Sequence, residues 1–270
     1  MWSWLRRLRT FSATTRADVP DALWQTTLRN YPFLNEQLPE SLARLRELTR
    51  LFLDQKEFHG AQGFIVTDEM AVAIAAQACL PVLHFGPAAQ ALAWYGDFVG
   101  IVVQPGEVVA RRQTTDDAGV VHFYKEVIAG EVMDGGPMML SWNDVAATSA
   151  ALGYSVVIHE FAHKLDLRDG LADGCPPLPA DFMGAASARL ARQAWGSTLQ
   201  AAFDDFQEQV IRSERFGAPA PWLDAYGAES IGEFFAVASE AYFVNRPRFA
   251  GDFTELAPLF DAFYQGHCQS

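Results

Sequence analysis

The segment of this chain best suited to chemistry is His159-Glu160-Phe161-Ala162-His163, which sets two imidazoles four residues apart with a carboxylate directly after the first. On a helix, residues at that spacing share a face, so both rings can reach one metal ion. Glu160 can face the same cleft and take a proton from a water activated by the metal. The pattern needs a helix, and Ile158, Ala162 and Leu165 supply an apolar stripe to anchor one. With six histidines in 270 residues, chance alone yields roughly one such motif per hundred chains of this length. Two exposed histidines on an ordinary helix would show the same spacing. Apolar neighbours on both sides argue against that, because buried imidazoles need partners.

Two histidines leave a catalytic metal one protein ligand short. Glu229, Glu233 and Glu240 follow on a later helix at spacings of four and seven, roughly along one face. Spacing does not choose among them, and His267 lies in the tail. Asp166 sits three residues after His163 on the same face. A carboxylate near a helix C-terminus opposes the helix dipole, so a local partner is expected: a zinc-binding histidine or a loop at the site, the alternative being a solvated aspartate. Cys79, Cys175 and Cys268 are too scattered for a thiolate site or a disulfide framework. A structural zinc would leave Glu160 without a role, and Asp166, Asp169 and Asp173 fail the spacing of an EF-hand calcium loop.

The elements that must position these groups follow from periodicity and punctuation. Leu42, Leu45, Leu48, Leu51 and Phe52 recur at helical spacing between Pro39 and Gln55. Thr67 reads as an N-cap, with Asp68 and Glu69 in the first turn of a helix ending before Pro81. Met70 to Phe85, interrupted by Gln77 and Pro81, is too short to span a bilayer and reads as a buried helix with its exit. Phe98–Val103, Val108–Arg112, Val120–Ile128 and Met138–Trp142 have strand character, with a turn at Gln104-Pro105-Gly106-Glu107, and predict a small, mostly antiparallel sheet. Helices return at Ser155–Leu165, around Leu199, Phe203, Phe206 and Val210, and at Ile231–Val244, with a long loop over Arg168–Gly184. The class is α+β. We expect a flexible segment over residues 1–15 and one domain over 16–270, with a helical and sheet lobe over 16–148 and a catalytic helical lobe over 149–270.

Composition narrows the function classes. Half the residues are hydrophobic and a fifth charged, which is globular rather than disordered. A net charge of −13 argues against a nucleic-acid partner. Few cysteines and no continuous apolar run in Met1–Thr10 point to the cytoplasm, with that start frayed rather than membrane-bound.

Asp224-Ala225-Tyr226 and Glu233-Phe234-Phe235-Ala236-Val237-Ala238-Ser239-Glu240 resemble segments of the Mlc titration factor family of bacterial zinc peptidases, related in their catalytic core to anthrax lethal factor. The resemblance extends through Leu51-Phe52-Leu53, Lys56-Glu57-Phe58, Thr67-Asp68-Glu69-Met70, Ala75 to Cys79 and Gly119-Val120-Val121-His122. It also takes in Gly136-Pro137, Leu140-Ser141-Trp142 and His159 to Asp166, so it covers most of the chain.

It implies a zincin-like fold of gluzincin type, with two catalytic helices across a cleft. One Zn2+ would be held by His159, His163 and Glu233. Glu160 would be general base, and Tyr226 would hydrogen-bond the oxyanion. Asp166 and Glu240 are then left as supporting groups. Met139, Leu140, Ser141 and Trp142 would form an edge strand along which a peptide lies. The implied activity is peptide hydrolysis, aminopeptidase-like on short substrates. The alternative is a regulatory protein that binds and sequesters a sugar-responsive transcriptional repressor, with or without proteolysis. The presence of both Glu160 and Tyr226 favours an enzyme. The chain departs from the family in a longer stretch over Gly170–Arg192, in Ser230-Ile231, and in Ala146–Tyr154, which bears on specificity rather than on the metal.

Overall fold

Prolines and hydroxyl caps set the helix starts. The computed structural model describes residues 18–106, 108–115, 121–128 and 136–266. The expected flexible start, Glu107 of the expected turn, Gly119, Val120, His267 and Cys268 lie outside the described residues. Helix α1 (Asp21–Asn30) leads through a 3-10 turn, Pro32–Glu36, to α2 (Pro39–Gln55), whose Pro39 occupies the first turn as expected. Helix α3 (Asp68–Cys79) is capped by Thr67, whose Oγ1 accepts the Met70 N–H at 3.3 Å. Every residue from Ala71 to Cys79 is buried. Its alanines let α2 and α6, defined below, approach closely. A short α4 (Ala88–Ala93) follows.

The strands are β1 (Glu57–Gly60), β2 (Gly100–Gln104), β3 (Val108–Thr115), β4 (Val121–Ile128) and β5 (Met138–Ser141). The expectation of a mostly antiparallel sheet is corrected. β1, β2 and β5 form a three-stranded parallel sheet in that order, with Phe58 opposite Ile101 and Val103 opposite Leu140. Only β3 and β4 pair antiparallel, as a separate two-stranded ribbon from Val108↔Ile128 to Thr115↔Val121. The reason is topological. α3 and α4 lie between β1 and β2, and the ribbon lies between β2 and β5, so each connection can return the chain to the end where it began. β1, only four residues long and without alternating β-branched side chains, had no sequence signal. The last strand stops one residue earlier than expected: Ser141 caps α5 (Trp142–Ala146), accepting the Asp144 N–H at 3.3 Å, so Trp142 is helical.

The second half is helical: α6 (Val156–Asp166), α7 (Ala188–Phe216), α8 (Ile231–Val244), α9 (Arg246–Asp252) and α10 (Leu256–Gly266). α6 packs on α8, with α3 and β5 also against it. Aromatic rings join the other helices to this pair. Trp195 of α7 stacks on Phe260 of α10 at 5.9 Å and 7°, and meets Phe235 of α8 at 6.1 Å. Burying each such ring contributes on the order of 2–3 kcal/mol. Buried apolar side chains from Val19 to Tyr264 make one cluster. Among the described residues, no helix is long and apolar enough to cross a membrane.

Candidate metal centre

Helices α6 and α8 start in the same way. Ser155 Oγ accepts the Ile158 N–H at 3.3 Å, and Ser230 Oγ accepts the Glu233 N–H at 3.2 Å. Val157, Ile158, Phe161, Ala162 and Leu165 of α6 are fully buried, which fixes its rotation and turns His159, Glu160 and His163 toward α8. There the two helices bring three ligand atoms together. His159 Nε2 and His163 Nε2 lie 3.1 Å apart, and Glu233 Oε2 lies 3.2 Å from the first and 3.1 Å from the second. Among the described residues, these three form the group able to share an ion. A tetrahedral ion at ~2.0 Å from each donor spaces its donors by about 3.3 Å, so the triangle fits one face of such a site.

Charge agrees with this geometry. Burial works against a charge on His159, yet hydrogen bonds to Glu233 and Glu240 hold its imidazolium well above the ordinary histidine range. Burial would raise the Glu233 carboxyl, but the two imidazoles outweigh it and keep the acid well below the usual range. Glu160 is raised by burial, opposed by His159 and His163. With Glu160, Glu233 and Glu240 gathered around two imidazoles, the site favours added positive charge, which a divalent cation supplies.

Glu240 lies two turns beyond Glu233 on α8 and grips the opposite edge of the same ring. Its Oε1 is 2.7 Å from His159 Nδ1, and its Oε2 accepts the Ser155 N–H at 2.6 Å. An acceptor at Nδ1 fixes the tautomer that leaves Nε2 free to bind metal. Ser155 Oγ in turn donates to Gln77 Oε1 of α3 at 2.9 Å. Sequence reasoning missed both Ser155 and Gln77 as members of this chain. Gln77 had one signal, a polar residue inside an apolar run. Ser155 had another, a hydroxyl directly before the helix.

Asp166 supports a loop rather than a histidine. It is fully buried, and its Oδ2 accepts the Gly174 N–H at 2.9 Å. Burial lifts its carboxyl to about 7. Gly174, at φ +73°, has no room for a Cβ, which would meet Leu199 Cδ2 at 2.6 Å and Ile231 O at 2.9 Å. Trp195 Nε1 holds the Gly174 carbonyl at 2.7 Å, while Arg192 pairs with Asp169 at 2.8 Å and Asp173 at 2.5 Å. The expectation that Glu229 shares a helix with Glu233 and Glu240 is corrected: Ser230 caps α8, so Glu229 precedes it at the end of a 3-10 turn, exposed and outside the donor group. Tyr226 stands in a 3-10 turn, Ala225–Ala228, whose start is held by Asp224 accepting the Tyr226 N–H at 3.0 Å. Its ring centroid lies 6.1 Å from that of His159. Met139, Leu140 and Ser141 lie on β5, at an edge of the parallel sheet and against α6.

Comparison with known proteins gives one consistent result. A family model described as glucose-regulated metallo-peptidase M90 matches residues 2–265. The chain is similar to Mlc titration factor A of Escherichia fergusonii, 32% identical over 269 residues, 99% of this chain and 89% of that protein. It is likewise similar to Mlc titration factor A of Salmonella gallinarum, 33% identical over 270 residues with the same shares covered.

Proposed function

The chain belongs to the glucose-regulated metallo-peptidase M90 family, and from that premise we propose that it is a zinc peptidase of gluzincin type, aminopeptidase-like on short substrates. The observation that carries this reading is the triangle of His159, His163 and Glu233 donors with the buried Glu160 carboxylate beside it. His159, His163 and Glu233 would hold the ion. Zinc, when bound, supplies a Lewis acid for the scissile carbonyl and lowers the pKa of water. Glu160 takes the proton from the attacking water and delivers it to the leaving amine. Tyr226 donates its hydroxyl proton in a hydrogen bond to the carbonyl oxygen as charge builds there. Its partial exposure suits a side chain that meets substrate.

Glu240 keeps His159 aimed, and Asp166 keeps the following loop tied to the end of α6. The free edge of β5, among the described residues, offers backbone groups along which an extended peptide can pair. In this zincin-like reading, residues 16–148 form the lobe that carries the strand and 149–270 the lobe that carries the ligands. A cytoplasmic location suits the buried free thiols of Cys79 and Cys175.

Elemental analysis combined with a fluorogenic peptide panel tests the proposal. One zinc per chain is expected, with cleavage by the natural protein and none by a zinc-loaded Glu160→Gln variant. Zinc without cleavage by either protein would remove the peptidase reading, and no zinc would remove the metal site.

The name of the relatives favours a second role: binding of a repressor such as Mlc. That role does not require the ion. A His159→Ala/His163→Ala double variant is therefore expected to retain Mlc in a pull-down, and loss of capture would refute independent roles.

A further inference from the structure

Glu233 is the donor that no local rule places. It comes from a different helix than the histidines, yet its Oε2 stands 3.2 Å from one imidazole and 3.1 Å from the other. Something between α6 and α8 has to set their separation at the end where Glu233 lies. We propose that residues 172–174 are that spacer, and that Asp166 and Gly232 act through it as positioning residues for Glu233. The inference rests on the metal-centre reading above.

The geometry runs from one helix to the other. Asp166, the last residue of α6 and fully buried, accepts the Gly174 N–H at 2.9 Å through Oδ2. Gly174 lies in turn against the first turn of α8, where a Cβ placed on it would stand 2.9 Å from Ile231 O and 3.3 Å from Phe235 Cβ. Gly232, directly before Glu233, approaches the same loop from α8. A Cβ there would stand 3.2 Å from Ala172 O and 3.6 Å from Asp166 Oδ2. The loop does not slide away, because Trp195 Nε1 holds the Gly174 carbonyl at 2.7 Å and Arg192 holds Asp173 at 2.5 Å. The end of the helix carrying His159 and His163 is thus tied, through one loop, to the residue that precedes the third donor.

The chemistry of both residues favours positioning over plain stabilisation. Asp166 Oδ1 is buried and has no hydrogen-bond partner among the described residues. A buried carboxyl with one oxygen unpaired is unfavourable for folding, where an apolar side chain of similar shape would not be. What Asp166 supplies instead is a fixed acceptor at the end of α6. Gly232 is buried in the first turn of α8, where alanine would be the better helix former. Glycine there gives up helix propensity and gains close approach to the loop.

The test uses the full chain, with zinc affinity read by chelator competition and the site's geometry by the absorption spectrum of the cobalt(II)-substituted protein. Urea unfolding of the metal-free form separates a loosened fold from a displaced donor. Asp166→Ala and Gly232→Ala should each weaken zinc binding by about 10–100-fold and alter the cobalt spectrum. Asp166→Asn, whose amide oxygen can still accept the Gly174 N–H, should stay within about threefold of the natural affinity. The double variant Asp166→Ala/Gly232→Ala should bind more tightly than the product of the two single losses predicts, because an untied loop yields to the methyl. Natural zinc affinity in Gly232→Ala would overturn the spacer. So would an Asp166→Ala protein that unfolds more easily but binds zinc unchanged, or a loss in Asp166→Asn as large as that in Gly232→Ala. If Asp166→Ala does not fold, Gly232→Ala and Asp166→Asn decide the matter between them. A natural protein that takes up no zinc would remove the metal-centre reading itself.

Discussion

Helices α6 and α8 build the two halves of the metal centre with the same device and unequal means. Each begins with a serine cap and each is buried along most of its length. α6 presents two donors one turn apart, so its own helical geometry makes them converge. α8 presents Glu233 and Glu240 two turns apart, and neither converges on anything by itself. They meet His159 at opposite edges of its ring, Glu233 at Nε2 and Glu240 at Nδ1. Convergence is therefore local in α6 and wholly a product of packing in α8. The contrast also separates two fates for a carboxylate. The Glu233 side chain is 22% exposed and faces the cleft, whereas that of Glu240, at 3%, is shut in behind the imidazole.

The strongest way to break the comparison is to remove charge from each helix in turn. Glu160→Gln on α6 is expected to lower turnover by about 10²–10⁴-fold with zinc content unchanged. Glu233→Gln on α8 is expected to abolish turnover by losing the zinc, measured by elemental analysis after dialysis. Equal zinc retention by both variants would deny Glu233 its place as ligand. Next in size, Tyr226→Phe should reduce kcat by about 10²-fold with zinc affinity intact, as expected for a hydrogen bond to a developing oxyanion. An unchanged kcat would exclude that role.

A finer test asks whether Glu240 works through His159. Glu240→Gln should weaken zinc binding by about 10–100-fold in a chelator competition, with the natural affinity retained if the carboxylate is merely structural filling. The smallest effects distinguish the two caps. Ser230→Ala should cost about 1 kcal/mol in urea unfolding. Ser155→Ala should cost more, about 2–3 kcal/mol, because it removes a cap and also leaves the buried Gln77 Oε1 without the Ser155 hydroxyl. Equal losses would mean that the link to α3 contributes nothing.

The chain's interior shows where sequence reading reached its limit. The ends of α2, α3 and α8 were legible because Pro39, Thr67 and Asn245-Arg246-Pro247 act on their immediate neighbours. Sheet direction was not legible. Val108–Thr115 does follow β2 closely, as in an antiparallel meander, but it leaves to pair with Val121–Ile128 and β5 takes the place beside β2. Asp166 was equally ambiguous. Its partner, the Gly174 N–H, belongs to a loop with no periodicity, held there by Trp195 and Arg192 from a different helix.

By itself the sequence determined the helix that carries His159, Glu160 and His163 and the fact that those three side chains share a face, because a 3.6-residue period and a nearby cap are properties of the local chain. It also limited the third donor to Glu229, Glu233 and Glu240, of which the last two lie on α8. Only the tertiary structure decided that Glu233 completes the triangle and that Glu240 and Ser155 stand behind His159. Those outcomes depend on how two buried helices are rotated and stacked. That rotation is set by close packing of Ile158, Phe161, Phe234 and Phe235 throughout the core, and no spacing within one helix encodes it.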